Sequence, residues 1–163
     1  LMAGRDMGIL SDAGIPCIAD PGAALVALAH SRGIRIVPLS GPSSIFLALA
    51  ASGLNGQKFN FLGYLPQDSV GRRQALGAVD RGIKADGATR IFIETPYRNE
   101  KLLNDCISHL SRETMLCVAV ALTTREERIR TDSIAGWKAA HDPMGRHPAV
   151  FLAGMAAILP AKS

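Results

Sequence analysis

One stretch that directly follows an apolar run places carboxylates beside glycines at two points. They are Ser11-Asp12-Ala13-Gly14-Ile15-Pro16 and Ala19-Asp20-Pro21-Gly22. A glycine lets backbone approach a ligand closely, and an aspartate can hold a hydroxyl or a positive charge. Two aspartates and two glycines in one connection exceed what a plain turn requires, so Asp12 to Gly14 read as ligand-facing. A turn and a helix start account for Asp20-Pro21-Gly22. A second stretch, Pro38-Leu39-Ser40-Gly41-Pro42-Ser43-Ser44, also follows an apolar run. Ser43 or Ser44 there can cap the next helix, and the free N–H groups of that helix start can equally meet a polar ligand. A third, Ile93-Glu94-Thr95-Pro96-Tyr97-Arg98, ends a strand in a carboxylate and a guanidinium. These two either pair with each other or face a substrate, with Arg98 available for a phosphate. The run Thr123 to Arg128 reads as a solvated, self-paired face. Arg72-Arg73 opens a helix where cations oppose the macrodipole, a hint of a role outside the fold.

The elements that must position these groups follow from apolar patterning. Met7 to Ser11 and Ile34 to Leu39 read as buried strands, and Gly22 to Arg32 and Ser43 to Ser52 as helices. In the first helix Leu25, Val26, Leu28 and Ala29 form the expected apolar face. Strand, helix, strand, helix with short connections is the pattern of a parallel α/β sheet, in which ligands meet the loops beyond the strand ends. After the polar break Asn55-Gly56-Gln57-Lys58, strands are expected at 59–62, 89–94, 115–122, 129–131 and 149–153. Helices are expected after Pro66-Gln67-Asp68-Ser69, with Ala75, Leu76, Val79 and Ile83 inward, at 99–110 and at 133–140. The reading is thus an α/β chain with a boundary near residue 56.

Composition bounds the chemistry. The chain has 163 residues, 48% of them hydrophobic and 20% charged, which supports a real core. A net charge of +4 permits a nucleic-acid partner without demanding one. The 3 cysteines, Cys17, Cys106 and Cys117, form no C-x-x-C pair and leave an odd count. That argues against a zinc ribbon or a disulfide framework and for a reducing compartment, the cytoplasm. No apolar run has the length of a membrane span. G-x-G-x-x-G, P-loop and G-x-S-x-G motifs are lacking, and His30, His109, His141 and His147 show no metal-ligand spacing. Aromatic residues at 5% are too few to stack bases in long succession.

Five segments in this order, SDAGIPCIADPG, VPLSGPSS, FLGYLP, IFIETPYRN and HPAVFLAG, span nearly the whole chain. Together they resemble the tetrapyrrole methylase superfamily of S-adenosylmethionine-dependent methyltransferases, and within it the ribosomal RNA small-subunit methyltransferase I branch. The resemblance implies two α/β domains: residues 1–56, the latter part of a parallel-sheet domain whose first strand precedes Leu1, and residues 57–163, a second domain with a mixed sheet. It implies S-adenosylmethionine in the cleft between them and a homodimer.

Residue by residue, the resemblance places Asp12, Ala13, Gly14 and Ile15 along the cofactor's methionine and ribose, and Ser43, Ser44 and Ile45 at a second loop. Leu122 with His147, Pro148 and Ala149 would approach the adenine. Glu94 and Arg98 are the substrate-side candidates. The ribosomal enzymes carry Thr in place of Ile15, Ala-Pro-His-Arg in place of Thr95 to Arg98, and Glu-Leu-Thr-Lys in place of Ala121 to Thr124. The expected activity is methylation of a ribose 2′-hydroxyl in small-subunit ribosomal RNA. Its alternatives are carbon methylation of a tetrapyrrole, or a truncated domain without activity.

Overall fold

Two groups of residues fold on themselves in the computed structural model, Leu1–Ser44 and Ile45–Ser163. The structure describes residues 4–140 and 143–156. His141, one of the four histidines considered above, lies outside them.

In the first unit the regular element is α1 (Ala23–Ser31). It ends where Gly33 adopts a left-handed φ of 64°, with Gly33 N–H donating to His30 O and Ile34 N–H to Ala29 O, a Schellman closure. The strands expected at Met7 to Ser11 and Ile34 to Leu39 are not formed, because neither segment pairs with a ladder among the described residues. Apolarity signals an environment, whereas a strand also needs a neighbour for its N–H and C=O groups. Leu10 is accordingly 93% exposed. The apolar face expected on α1 is likewise open: Ala29 is buried while Leu25 and Leu28 are exposed.

The second unit is built on one five-stranded mixed sheet. Its elements are α2 (Ser44–Ser52), β1 (Phe59–Tyr64), α3 (Ser69–Asp86), β2 (Thr89–Glu94), a 3₁₀ turn (Pro96–Arg98), α4 (Asn99–His109), β3 (Met115–Val120), β4 (Arg128–Ser133), α5 (Ile134–Ala139) and β5 (Ala149–Gly154). The strand order is β1-β2-β5-β3-β4, with β1 and β2 parallel and the other neighbours antiparallel. β4 runs longer than the patterning indicates because its whole length pairs with β3.

One face carries α3, α4 and α5. Leu76, Val79 and Ile83 on α3, Leu102, Leu103 and Cys106 on α4, and Trp137 on α5 pack with Phe92, Leu116, Val118 and Phe151. Phe92 and Phe151 are cross-strand partners and stack at 5.8 Å, an arrangement that adds to the area they bury. The other face carries α2, through Ile45, Ala48 and Leu49 against Ile91, Cys117, Ala119, Val150 and Leu152. The central strand β5 is buried on both faces, which is why it reads as a continuous apolar run. Helix α3 starts where Asp68 accepts from Gly71 N–H and ends at Gly87 in a left-handed conformation, as its sequence signals indicate. No helix among the described residues is long and apolar enough to cross a membrane.

Asp80 on α3 fastens this layer to the turn before β3. Its carboxylate accepts from Ser111 Oγ at 2.5 Å, Thr114 Oγ1 at 2.6 Å and Lys84 Nζ at 2.9 Å, and from Ser111 N–H at 3.2 Å. Burial opposes its charge, but these donors outweigh burial and bring its pKa from 3.8 down to about 2. A depressed folded-state pKa means that this contribution is complete above the unfolded value and is lost as pH falls through about 2. Asp80→Ala should therefore lower unfolding free energy at neutral pH by about 1–3 kcal/mol in urea titrations, and the gap from wild type should narrow below pH ~4. A gap that is constant across this range contradicts the assignment.

Candidate functional site

The first unit offers a loop-bounded cavity of about 270 Å³, lined by Ile9, Leu10, Ser11, Asp12, Asp20, Pro21, Gly22 and Leu25. Two carboxylates over apolar walls suit a ligand that carries hydroxyls or positive charge on an otherwise apolar frame. Asp12 thus lines the cavity, whereas Ala13, Gly14 and Ile15 continue the same loop beyond the lining. Ser11 holds this bend: its hydroxyl donates to Ala13 O at 3.0 Å and accepts from Ala13 N–H at 3.3 Å. The loop is also conformationally unusual. Cys17 and Ala19 have φ of 70° and 54°, and Gly22 has φ 131°, a value open to glycine. A Cβ on Gly22 would stand 2.7 Å from Cys17 Sγ. Ser43 directly precedes α2, Ser44 is its first residue, and Ile45 is packed in the second unit's core.

The remaining candidates gather on one edge of the sheet. Strand pairing sets Tyr64 opposite Ile93, Glu94 opposite Ala149, Ala149 opposite Val120, and Val120 opposite Arg128. The carboxyl ends of β1, β2 and β3 therefore lie level with the starts of β5 and β4. Glu94, Arg98, Leu122, His147, Pro148 and Ala149 all belong to that edge. Ala121 N–H donates to Pro148 O at 2.9 Å, and Asn99 Nδ2 to His147 O at 2.8 Å, so the segment before β5 is held from both sides. Asn99 is fully buried, and its Oδ1 has no hydrogen-bond partner among the described residues.

Glu94 and Arg98 pair with each other. Glu94 Oε1 accepts from Thr95 N–H at 2.8 Å and from Arg98 Nε at 3.0 Å, while Oε2 accepts from Arg72 Nη2 at 2.9 Å. The carboxylate is only 2% exposed. Burial alone would raise its pKa, but the Thr95 and Arg98 hydrogen bonds and the two nearby guanidinium charges hold it below the ordinary carboxylate range. Both oxygens are occupied and ionised, so the arrangement orients Arg98 rather than leaving a carboxylate free to accept a proton.

Arg72, read above as a cation looking outward, is instead 1% exposed and reaches Glu94, Pro66 O at 2.8 Å and Asp105 at 3.4 Å. Its spacing from Leu76, Val79 and Ile83 puts it on the inward stripe of α3, and that signal was available in the sequence. Asn99 stands likewise three, four and seven residues before Leu102, Leu103 and Cys106, so the same spacing marked it as inward on α4. The run from Thr123 is exposed and self-paired: Thr123 N–H donates to Glu127 Oε2 and Thr124 Oγ1 to Glu126 Oε2. Ala121 and Thr123, on either side of Leu122, have φ of 50° and 66°.

Residues 1–136 match the family of tetrapyrrole (corrin/porphyrin) methylases. The chain is 40% identical over 129 residues to ribosomal RNA small subunit methyltransferase I of Escherichia coli O157:H7, covering 79% of this chain and 44% of that protein. It is 37% identical over 155 residues to the protein of the same name from Pseudomonas aeruginosa, covering 93% of this chain and 54% of that one. The chain spans about half the length of these curated relatives. Among solved structures, the methyltransferase CobJ aligns with a TM-score of 0.59 at 20% identity, over 91% of this chain and 64% of CobJ. Cobalt precorrin-4 methyltransferase CbiF aligns at 0.53 and 20%, over 86% of this chain and 61% of CbiF. At these identities the structural likeness speaks for the fold.

The Glu94 geometry yields a direct test. Removing one partner of a buried ion pair leaves the other uncompensated, so Glu94→Ala should cost about 3 kcal/mol or more of unfolding free energy in urea at neutral pH. Because the folded-state pKa is depressed, that difference should shrink as pH falls below the ordinary carboxylate range. Unchanged stability would return Glu94 to the pool of reacting groups.

Proposed function

Because the chain belongs to the tetrapyrrole methylase family, we propose that it serves S-adenosylmethionine-dependent methyl transfer to small-subunit ribosomal RNA, at a ribose 2′-hydroxyl. The observation that carries this reading is the 37–40% identity, over 79% and 93% of this chain, to two proteins named for that ribosomal RNA. Carbon methylation of a tetrapyrrole draws on CobJ and CbiF, whose likeness extends to the fold alone. The sequence division into residues 1–56 and 57–163, a homodimer and a cytoplasmic location accompany the proposal.

The cavity at Asp12 fits the proposed cofactor chemically. Its carboxylates match hydroxyl and ammonium groups, and Ile9, Leu10 and Leu25 supply apolar cover. When bound, the cofactor supplies a methyl group already attached to a good leaving group, a sulfonium. The chain's own task is then mostly alignment. Asp12 would hold a hydroxyl or the ammonium group, with Ala13, Gly14 and Ile15 offering backbone alongside, and Ser43 and Ser44 would present the start of α2, whereas Ile45, assigned to the same segment by the resemblance, is packed in the core. Leu122 and the His147 to Ala149 segment are assigned to the adenine. That segment is fixed by Asn99 and Ala121, so its backbone is presented in one conformation. Arg98, oriented by Glu94, would bear on the acceptor side.

Calorimetric titration of S-adenosylmethionine into the chain separates this reading from an inactive domain. Asp12→Ala should weaken binding at least about tenfold, equivalent to one charge-assisted hydrogen bond, with an unchanged melting temperature. Unchanged affinity in Asp12→Ala removes that residue from the site. Tritiated methyl transfer to undermethylated small ribosomal subunits, compared with precorrin precursors, decides between acceptors.

A further inference from the structure

Two tyrosines stand open at the sheet edge beside the Glu94 anchor. Tyr64 is 55% and Tyr97 69% exposed, so neither belongs to the core. Their positions are set by the backbone. Between Phe61, opposite Ile91, and Tyr64, opposite Ile93, β1 holds one residue more than β2, and Gly63 takes a φ of 67°. Such a bulge re-aims the side chain that follows it, here bringing Tyr64 into register with the end of β2. Tyr97 is fixed in the 3₁₀ turn, whose start Thr95 is tied to Glu94.

Arg98 lies with its guanidinium carbon 5.2 Å from the Tyr97 ring centroid. Glu94 takes its Nε and Nη2 groups, and Nη1 has no hydrogen-bond partner among the described residues. A guanidinium of this kind keeps donors for a phosphate while its orientation is already decided. The result is a preoriented cation against one exposed aromatic ring, with a second exposed ring at the end of the neighbouring strand β1. That combination answers the alternation of phosphate and unpaired base along single-stranded RNA, where rings stack on bases and arginine takes the backbone.

We propose that Tyr64, Tyr97 and Arg98 form a contact for single-stranded RNA, the tyrosines stacking on unpaired bases and Arg98 holding a phosphate. This rests on the ribosomal RNA reading above and names the residues that would grip the strand around the acceptor. Two rings serve one or two bases, within the limit that the scarcity of aromatic residues sets on longer platforms.

The test uses a fluorescein-labelled single-stranded oligoribonucleotide and the intact chain. Tyr64→Leu and Tyr97→Leu should each weaken binding about tenfold by fluorescence polarisation, while Tyr64→Phe and Tyr97→Phe, which keep the ring, should bind like wild type. Arg98→Met should flatten the dependence of log K on log salt by about 0.7, the value for one phosphate on a single strand. With 5-iodouridine in the strand, photocrosslinks should map to peptides containing Tyr64 or Tyr97.

Leucine variants that bind like wild type, crosslinks that map elsewhere, or a wild-type chain that binds no RNA each overturn the inference. A melting temperature within the wild-type range is required of every variant scored, and the crosslink map of the wild-type chain with the Arg98→Met salt slope carries the test if a leucine variant unfolds. Methyl transfer to small-subunit RNA with tyrosine-independent binding defeats this inference alone. Tyrosine-dependent binding without methyl transfer defeats the methyltransferase reading and leaves the surface standing.

Discussion

The ion pair between Arg72 and Glu94 sits where the rest of the sheet edge takes its bearings. Removing a guanidinium and a carboxylate from water costs several kcal/mol per ion, and a buried pair survives only when its remaining hydrogen-bonding capacity is met. Here it is met by Pro66 O, Asp105, Thr95 N–H and Arg98. The ion pair and its partners come from five pieces of chain. Pro66 lies in the connection after β1, Arg72 is in the first turn of α3, Glu94 ends β2, Asp105 is on α4, and Thr95 and Arg98 frame the 3₁₀ turn. One buried charge cluster therefore ties α3, β2, α4 and the 3₁₀ turn to the connection after β1.

The sheet supplies the second constraint. Its two innermost antiparallel pairings, β2 with β5 and β5 with β3, are in register without interruption, which puts Glu94, Ala149 and Val120 in a single row. The bulge is confined to β1, the outer strand beyond β2. An irregular outer strand beside a regular centre is a workable division: the centre holds the core, and the margin can bend to aim Tyr64 without disturbing Phe92 and Phe151 beneath. Segments far apart in sequence, around residues 95, 122 and 148, meet because of this row and not because of any local propensity.

How much of this could be read from the sequence depends on what each signal measures. Helices α3 and α4 were legible because their apolar residues recur at helical spacing and because Asp68 and Gly87 mark the ends of α3. β2, β3 and β5 were legible as apolar runs bounded by polar residues, yet nothing in those runs states the order β1-β2-β5-β3-β4. The runs at Met7 and Ile34 have the same appearance and form no ladder, since apolarity does not say with what a strand pairs. Arg72 was misjudged by residue type when its helical position already placed it inward. Of the candidate site, the pairing of Glu94 with Arg98 followed from their types and separation. The cavity beside Asp12 and the clamp of Asn99 on His147 needed coordinates.

Backbone strain provides an argument that is independent of motif. The non-glycine residues with positive φ among those described are Cys17, Ala19, Ala121 and Thr123. Holding such a residue there costs of order 1–3 kcal/mol, and for a β-branched side chain such as threonine the conformation is an outlier. A chain selected for stability alone would relieve that cost with glycine or a different turn. All four instead fall in two segments, the loop that follows Asp12 to Ile15 and the turn on either side of Leu122, while the residues the resemblance itself names as cofactor-facing are Asp12 to Ile15 and Leu122. In the second, Glu127 and Thr124 hold the turn in place through Thr123 N–H and Ala121 O. Hydrogen bonds of this kind hold the strained turn in one conformation, so the backbone around Leu122 is fixed by its neighbours and not by local propensity.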